Sequence, residues 1–371
     1  MKYFSLLVAL FITAFVFNAC KDDATEPAVV SKCDVVVNDV PFKTEQYLRI
    51  PYTLRLWEYE KDGMKLQKIE VLNDETKAVL LTLDKDHFPK IHKNPIESKD
   101  STLHWDIITS YYTSIQLPIP LSQTPPSRVS HRLTLRDTVL NKDVVVEGAV
   151  FAPRLSEVPI VISSPIKGEN LLFLNQSTDD YHFYVMFFLN GNLWRGERFA
   201  FDYVKLNPAN MEFYSGDQYD NESYYCYRDT LYAVTNGTIH EMVMNQTENH
   251  GTQHDAPLPT RISYAGNYII MKMDNGNYAF YAHCIPNSAM VTVGQTVTKG
   301  QPLALLGNSG NSDMAHLHFQ VCDRPDFFYS IALPFVLDKW SAIGTYGGTI
   351  TAPVQHTNSM MEEMTIVTID K

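Results

Sequence analysis

His316-Leu317-His318-Phe319 carries two imidazoles two residues apart. On a β-strand, successive side chains point to opposite faces, so His316 and His318 share one face while Leu317 and Phe319 point into packing. Two imidazoles on one face can converge on one ion or one substrate. An isolated His-x-His is more often a pair of ordinary core or surface histidines, so the surrounding residues decide. A third histidine, His283, closes the run Tyr278-Ala-Phe-Tyr-Ala-His283.

These residues need elements to position them. Tyr268–Met273 and Tyr278–His283 are rich in aromatic and β-compatible residues, and Asn275-Gly276 lies between them. Asn-Gly tolerates positive φ at both positions and predicts a tight hairpin, with His283 at the end of its second strand. Val291-Thr-Val-Gly294-Gln295 is echoed by Val297-Thr-Lys-Gly300-Gln301, a pattern of tight bends between short strands. Leu303–Leu306 reads as an apolar strand, Gly307–Ser312 as a Gly-rich loop, and His316–Val321 as a further strand.

Taken in order, GNYIIMKMDNGNYAFYAHC, VTVGQTVTKGQPLALLGNSGNSD and AHLHFQV resemble the core of the lysostaphin-like, LytM-type zinc endopeptidases, which cut peptide cross-links of peptidoglycan. The resemblance is dense over Gly266–Val321 and weaker through Asp229–Ile239. It implies a LytM-type β-sheet core, bound Zn2+, and a site built from His and Asp spaced as HxxxD plus the second histidine of His-x-His. Carried over, Asp202 and His318 are metal ligands, and His283 and His316 are the catalytic pair. The first ligand departs from the pattern. Arg198 stands four residues before Asp202, and a guanidinium has no lone pair to offer a cation. Two accounts compete. In one, Tyr181–Leu189 and Arg198–Tyr203 pair as a hairpin and His182 replaces the lost ligand. In the other, the module is degenerate and binds murein, or activates another cell-wall hydrolase, without cutting.

The remainder of the chain supplies context. Its 371 residues predict two domains, and its net charge of −12 argues against a nucleic-acid partner. Residues 1–19 read as a signal peptide whose apolar run is short for a membrane span. Phe17-Asn18-Ala19-Cys20 resembles a lipoprotein signal, with Cys20 lipidated and residues 20–32 as a tether; an ordinary signal peptide cut near Ala19 is the other reading. Cys33, Cys226, Cys284 and Cys322 lack paired CxxC spacing, which disfavours a cysteine zinc knuckle. Residues 33–152 predict an immunoglobulin-like β-sandwich with strands Cys33–Val40, Leu48–Tyr59, Leu66–Leu72, Ala78–Leu83, Ser101–Ser110, Val129–Arg136 and Val144–Phe151. It carries no evident chemistry, and His87, His92, His104 and His131 read as structural or exposed.

The LytM-like domain spans 160–340, with His240, His250 and His254 as loop residues, and 341–371 forms a C-terminal β extension of one or two edge strands. The whole is an all-β protein. The expected activity is zinc-dependent cleavage of peptidoglycan stem or bridge peptides. The expected location is the cell envelope, as an exported lipoprotein held to the periplasmic or outer membrane by its lipid. A third possibility is a surface protein whose β fold only presents loops to an extracellular ligand.

Overall fold

The computed structural model describes residues 32–84, 88, 90–92, 110–174, 181–258 and 261–370. The signal and tether up to Ser31, with Cys20, lie outside them. So do His87, His104, the expected strand Ser101–Ser110 save its last residue, and the loop 175–180. Among the described residues the regular structure is almost entirely β, with three short 3-10 turns, and no helix is long and apolar enough to cross a membrane.

Residues 33–151 form two antiparallel sheets over one core. The first runs Cys33–Asn38, Tyr47–Leu56, Tyr111–Pro120, Ile91–His92, with Phe42–Lys43 paired to Tyr47–Leu56. The second runs Val79–Asp84, Met64–Asn73, Val129–Asp137, Lys142–Phe151. Alternation sends Tyr52, Leu54, Ile69, Val71, Leu133 and Leu135 into the shared interior, all essentially inaccessible. His131 is buried there too. Its ring nitrogens lie 2.8 Å from the Tyr52 hydroxyl and 3.0 Å from the Ala149 carbonyl.

The strand Tyr111–Pro120 is not expected from the sequence, because Pro118 and Pro120 argue against a strand. It pairs along its whole length with Tyr47–Leu56. Among the described residues its other edge is paired only at Tyr112 and Thr113. The prolines therefore remove no partner's hydrogen bond on that side.

A larger mixed sheet organises the rest. Its order is Ile160–Ile162, Phe335–Thr345, Thr365–Ile369, Gly168–Leu174, Phe201–Lys205, Leu317–Cys322, Tyr278–Cys284, Asn267–Met273, Gly237–Val243, Thr296–Val297, and Ile350–Ser359 flanks Phe335–Thr345. The Asn275-Gly276 turn forms as expected, with Gly276 at φ +88°. The tail is a correction. Thr365–Ile369 is no edge strand: it inserts between Phe335–Thr345 and Gly168–Leu174, burying Ile366 and Val367. Phe335–Thr345 also runs across the expected boundary at 340/341.

Two further expectations fail locally. Tyr181–Leu189 is not one strand: Tyr181–Tyr184 is a 3-10 turn, and Phe187–Leu189 pairs with Asn192–Trp194 around the Asn190-Gly191 turn. Arg198 precedes the strand Phe201–Lys205, which pairs with Gly168–Leu174 and Leu317–Cys322, so the expected hairpin with Tyr181–Leu189 does not form. His240 is likewise on a strand, Gly237–Val243, with its ring 5.3 Å from that of Tyr278.

Candidate metal centre

Three adjacent strands of the large sheet build the floor of the site. Asp202 lies directly opposite His318 across one strand pair, and Ala282 lies opposite His318 across the next. Leu317, Phe319 and Val321 point the other way and are inaccessible. There the Phe319 ring packs 5.3 Å from that of Phe201 and 5.1 Å from that of Tyr281. That apolar layer fixes the strand, and strand alternation then presents His318 and Gln320 on the site face.

His182, Asp202 and His318 converge: one donor atom from each lies within 4.8 Å of the other two. His318 Nδ1 is 3.0 Å from Asp202 Oδ1, and His182 Nε2 is 3.7 Å from Asp202 Oδ2. Donors on a tetrahedral zinc ion stand roughly 3.3 Å apart, as follows from metal–donor bonds of about 2 Å. The donor set therefore fits zinc in type and in spacing. The third donor comes from the 3-10 turn carrying His182 and not from the position of Arg198, which points away into the molecule.

His318, His316 and His283 are each held by a hydrogen bond from a ring nitrogen. His318 Nε2 is 2.8 Å from Gln320 Oε1. With the amide oxygen as acceptor, Nε2 carries a proton, an outer-shell arrangement typical of metal-binding histidines, while Nδ1–H donates to Asp202 Oδ1 and its loss would turn the Nδ1 lone pair toward a cation. His316 donates Nδ1–H to the Met314 carbonyl at 2.9 Å, leaving Nε2 3.5 Å from Asp202 Oδ1. His283 donates Nδ1–H to the Ser309 carbonyl at 2.7 Å. The His283 and His316 ring centroids are 4.6 Å apart.

The Gly-rich loop explains the Ser309 contact. Gly310 adopts φ +80° and Gly266 φ +60°, and a Cβ on Gly310 would meet the Gly266 nitrogen at 2.4 Å. Only glycine allows this approach. It seats Ser309 so that its hydroxyl accepts from the Asn267 amide and donates to the Cys284 carbonyl, each at 2.8 Å. His283 itself has φ +65°, where the register against Asn267–Met273 shifts. Non-glycine residues occupy this left-handed region at a cost, and such residues cluster at functional sites.

The electrostatics follow from burial and proximity. Burial pushes the Asp202 carboxyl up, but His182, His316 and His318 overcome it and hold it well below the usual carboxylate range. Burial opposes charge on His318, yet the hydrogen bond and charge of Asp202 raise it to about 9. For His283, burial, reinforced by His316 and His318, pushes the ring well below its ordinary value and keeps it neutral.

The remaining histidines stay apart from this group. His250 pairs with Asp255 and His254 with Asp313 on exposed ground, and His356 stacks on Trp340. Among the described residues, Cys33, Cys226, Cys284 and Cys322 are buried and form no disulfide with one another. Gln320 is a site residue that the sequence reading misses. Its signal was available: it follows His318 by two positions on the same strand face. Beside the site, Ala282 and Phe327 line a cavity of about 210 Å³ that also includes Glu241, Tyr268 and Asp326.

Residues 226–326 match the model of Peptidase family M23. The peptidoglycan DD-endopeptidase ShyA of Vibrio cholerae is 27% identical over 100 residues, 23% of this chain and 23% of ShyA, so the chain spans under a quarter of this relative's length. Among solved structures, the catalytic domain of lysostaphin from Staphylococcus simulans is 19% identical, covering 34% of this chain and 95% of that one at a TM-score of 0.22. A zinc-containing peptidase from Vibrio cholerae is 14% identical, covering 58% and 60% at a TM-score of 0.24. Scores this low carry no weight by themselves. The M23 match contains His283, His316 and His318, while His182 and Asp202 lie upstream of it. Over residues 226–326 the chain is similar to Peptidase family M23, and the His-Asp-His cluster beside that stretch has the donor types of a metal-binding site.

Proposed function

We propose that this protein is a zinc-dependent endopeptidase that cleaves peptide cross-links of peptidoglycan. The observation that carries this reading is the convergence of His182, Asp202 and His318 beside two histidines, His283 and His316, whose Nδ1–H groups are already committed to backbone carbonyls. His182 Nε2, an Asp202 oxygen and His318 Nδ1 would hold the ion. When bound, zinc supplies Lewis acidity, polarising a peptide carbonyl and making water a nucleophile near neutral pH.

The chain's own residues then handle protons and charge. His283 and His316 each keep Nε2 available, and a neutral imidazole there accepts the proton lost by attacking water and returns it to the departing amine. The second ring, holding a proton taken from solvent before attack and kept throughout, donates a hydrogen bond to the developing oxyanion. Asp202 neutralises the positive charge gathered by the surrounding imidazoles.

The test is direct. Purified full-length protein should contain stoichiometric zinc and should cleave purified murein. His182→Ala and His318→Ala should each lose both properties. Zinc-free protein that still binds murein without cutting it would leave the non-catalytic module as the reading.

Three further readings belong with this one. The sandwich of residues 33–152 is immunoglobulin-like, on the strength of its two antiparallel sheets over one core. The LytM-like domain occupies 160–340, continued by the strands of 341–371. Cys20 is lipidated and holds the protein at the cell envelope, which incorporation of labelled palmitate, abolished in Cys20→Ala, would establish.

A further inference from the structure

Arg198 stands where the sequence resemblance places a metal ligand, yet it is inaccessible and faces the N-terminal sandwich. Its Nε lies 2.8 Å from Asp39 Oδ2, an ion-pair contact that lacks hydrogen-bond alignment. One terminal nitrogen donates to Thr53 Oγ1 at 3.1 Å and to Ser114 Oγ, and the other donates to the Tyr52 carbonyl at 3.0 Å. Asp39, Tyr52, Thr53 and Ser114 all belong to the N-terminal sandwich. Arg195 joins them, reaching both Asp39 oxygens at 3.0 and 3.1 Å.

Arg198 also touches the turn that carries His182. Its guanidinium lies 4.3 Å from the centroid of Phe183, the residue after His182. Phe183 is itself buried and packs against Phe199, whose ring meets that of Phe42 from the sandwich. The same turn is gripped once more by the sandwich, where His92 Nε2 donates to the Tyr184 carbonyl at 2.6 Å. Asp202 and His318 are held by sheet hydrogen bonds. His182 instead lies on a four-residue 3-10 turn, whose hydrogen-bond geometry is poorer than that of regular structure, with its ring 4.8 Å from that of His318.

We infer that Arg198 is a positioning residue for the metal centre: clamped by Asp39, Thr53, Tyr52 and Ser114, it braces Phe183 and thereby sets His182 over Asp202. The N-terminal sandwich is thus part of the metal site's support. This inference rests on the reading of His182 as a metal ligand. A planar guanidinium both forks to several acceptors and stacks on a ring, and a lysine ammonium keeps the charge toward Asp39 but loses both. Arg198→Lys is accordingly the informative change, since deleting the charge outright would also leave Asp39 to Arg195 alone.

The experiment is a titration of the metal-free full chain with cobalt(II) alone, read by its visible absorption, for wild type, Arg198→Lys, Phe183→Leu, His182→Ala and the Arg198→Lys/His182→Ala double variant. Wild type should give the intense bands of a four-coordinate ion. Arg198→Lys and Phe183→Leu should weaken binding by about 10–100-fold, the usual consequence of losing an outer-shell support. Both should shift the spectrum toward higher coordination as solvent replaces the imidazole. The double variant should bind no more weakly than His182→Ala, because residues that act through one another do not add.

Wild-type affinity and spectrum in both Arg198→Lys and Phe183→Leu, with binding lost in His182→Ala, would overturn the inference and leave the metal centre intact. Full additivity in the double variant would overturn it as well. Unchanged cobalt binding in His182→Ala would instead remove the ligand assignment itself, and the inference with it. If Arg198→Lys does not fold, Phe183→Leu decides by the same two readouts.

Discussion

Replacing Gln320 with leucine tests its contribution to the metal centre, at the cost of its amide's hydrogen bond to Cys322 Sγ at 3.2 Å. Gln320 is inaccessible, and its Oε1 accepts from His318 Nε2 at 2.8 Å. Gln320→Leu keeps comparable bulk and removes the acceptor. The buried N–H left behind costs about 1–3 kcal/mol. His318 can recover part of that by shedding the Nε2 proton and keeping the Nδ1–H that donates to Asp202 Oδ1 at 3.0 Å. That tautomer withdraws the lone pair from the metal position. The expected loss in zinc affinity is therefore about 10–100-fold, or about 1.4–2.7 kcal/mol. Competition against a chromophoric chelator near neutral pH measures it. Gln320→Glu, which retains an acceptor, should keep or strengthen binding. Zinc affinity in Gln320→Leu equal to wild type, with affinity lost in His318→Ala, would refute the claim that Gln320 selects the metal-binding tautomer.

Other outcomes follow from the same geometry. His283→Ala and His316→Ala should keep their zinc but lose murein cleavage by about 10²–10⁴-fold; zinc lost from either variant would make that residue a ligand. Near neutral pH, zinc binding should release about one proton, because metal-free His318, raised to about 9, is protonated and must become neutral to coordinate. Calorimetry in buffers of different ionisation enthalpy counts it, and none released would contradict the His318 assignment.

Acid stability offers a test on histidines outside the metal ligands. Burial pushes His92 and His131 down to about 4. Their unfolded values near 6.5 are higher, so the unfolded chain binds more protons. Their contribution is then complete above about pH 6.5 and falls toward pH 4, by at most about 3 kcal/mol each. Denaturant midpoints measured across that window should drop, and a flat profile would contradict it.

The parts of the site that sequence could reveal are those set by local spacing. His316 and His318 share a region because strand geometry requires it, and the Asn275-Gly276 turn places His283 at the end of its strand. Asp202 could be assigned only through family resemblance, since its partnership with His318 is a strand pairing between distant segments. The turn under His182 was not legible. Its aromatic run reads as a strand, and what bends it is packing by Arg198 and His92 from outside the local sequence. Nothing in the spacing of Asp39 and Arg198 signals their pairing. The last strand failed for a related reason: Thr365–Ile369 shows its apolar residues but not the two strands it enters between. In Tyr111–Pro120, two prolines masked a strand whose other edge, among the described residues, carries no strand partner opposite them.

The most direct test of the central claim is the digestion of purified cross-linked murein by the full-length protein, with released peptides followed by mass spectrometry before and after chelation and zinc restoration. Conversion of cross-linked dimers to monomers that stops on chelation, returns with zinc and is absent in His318→Ala is the predicted result. Cleavage that persists in metal-free protein or in His318→Ala would contradict it, as would zinc-loaded wild type that leaves every cross-link intact.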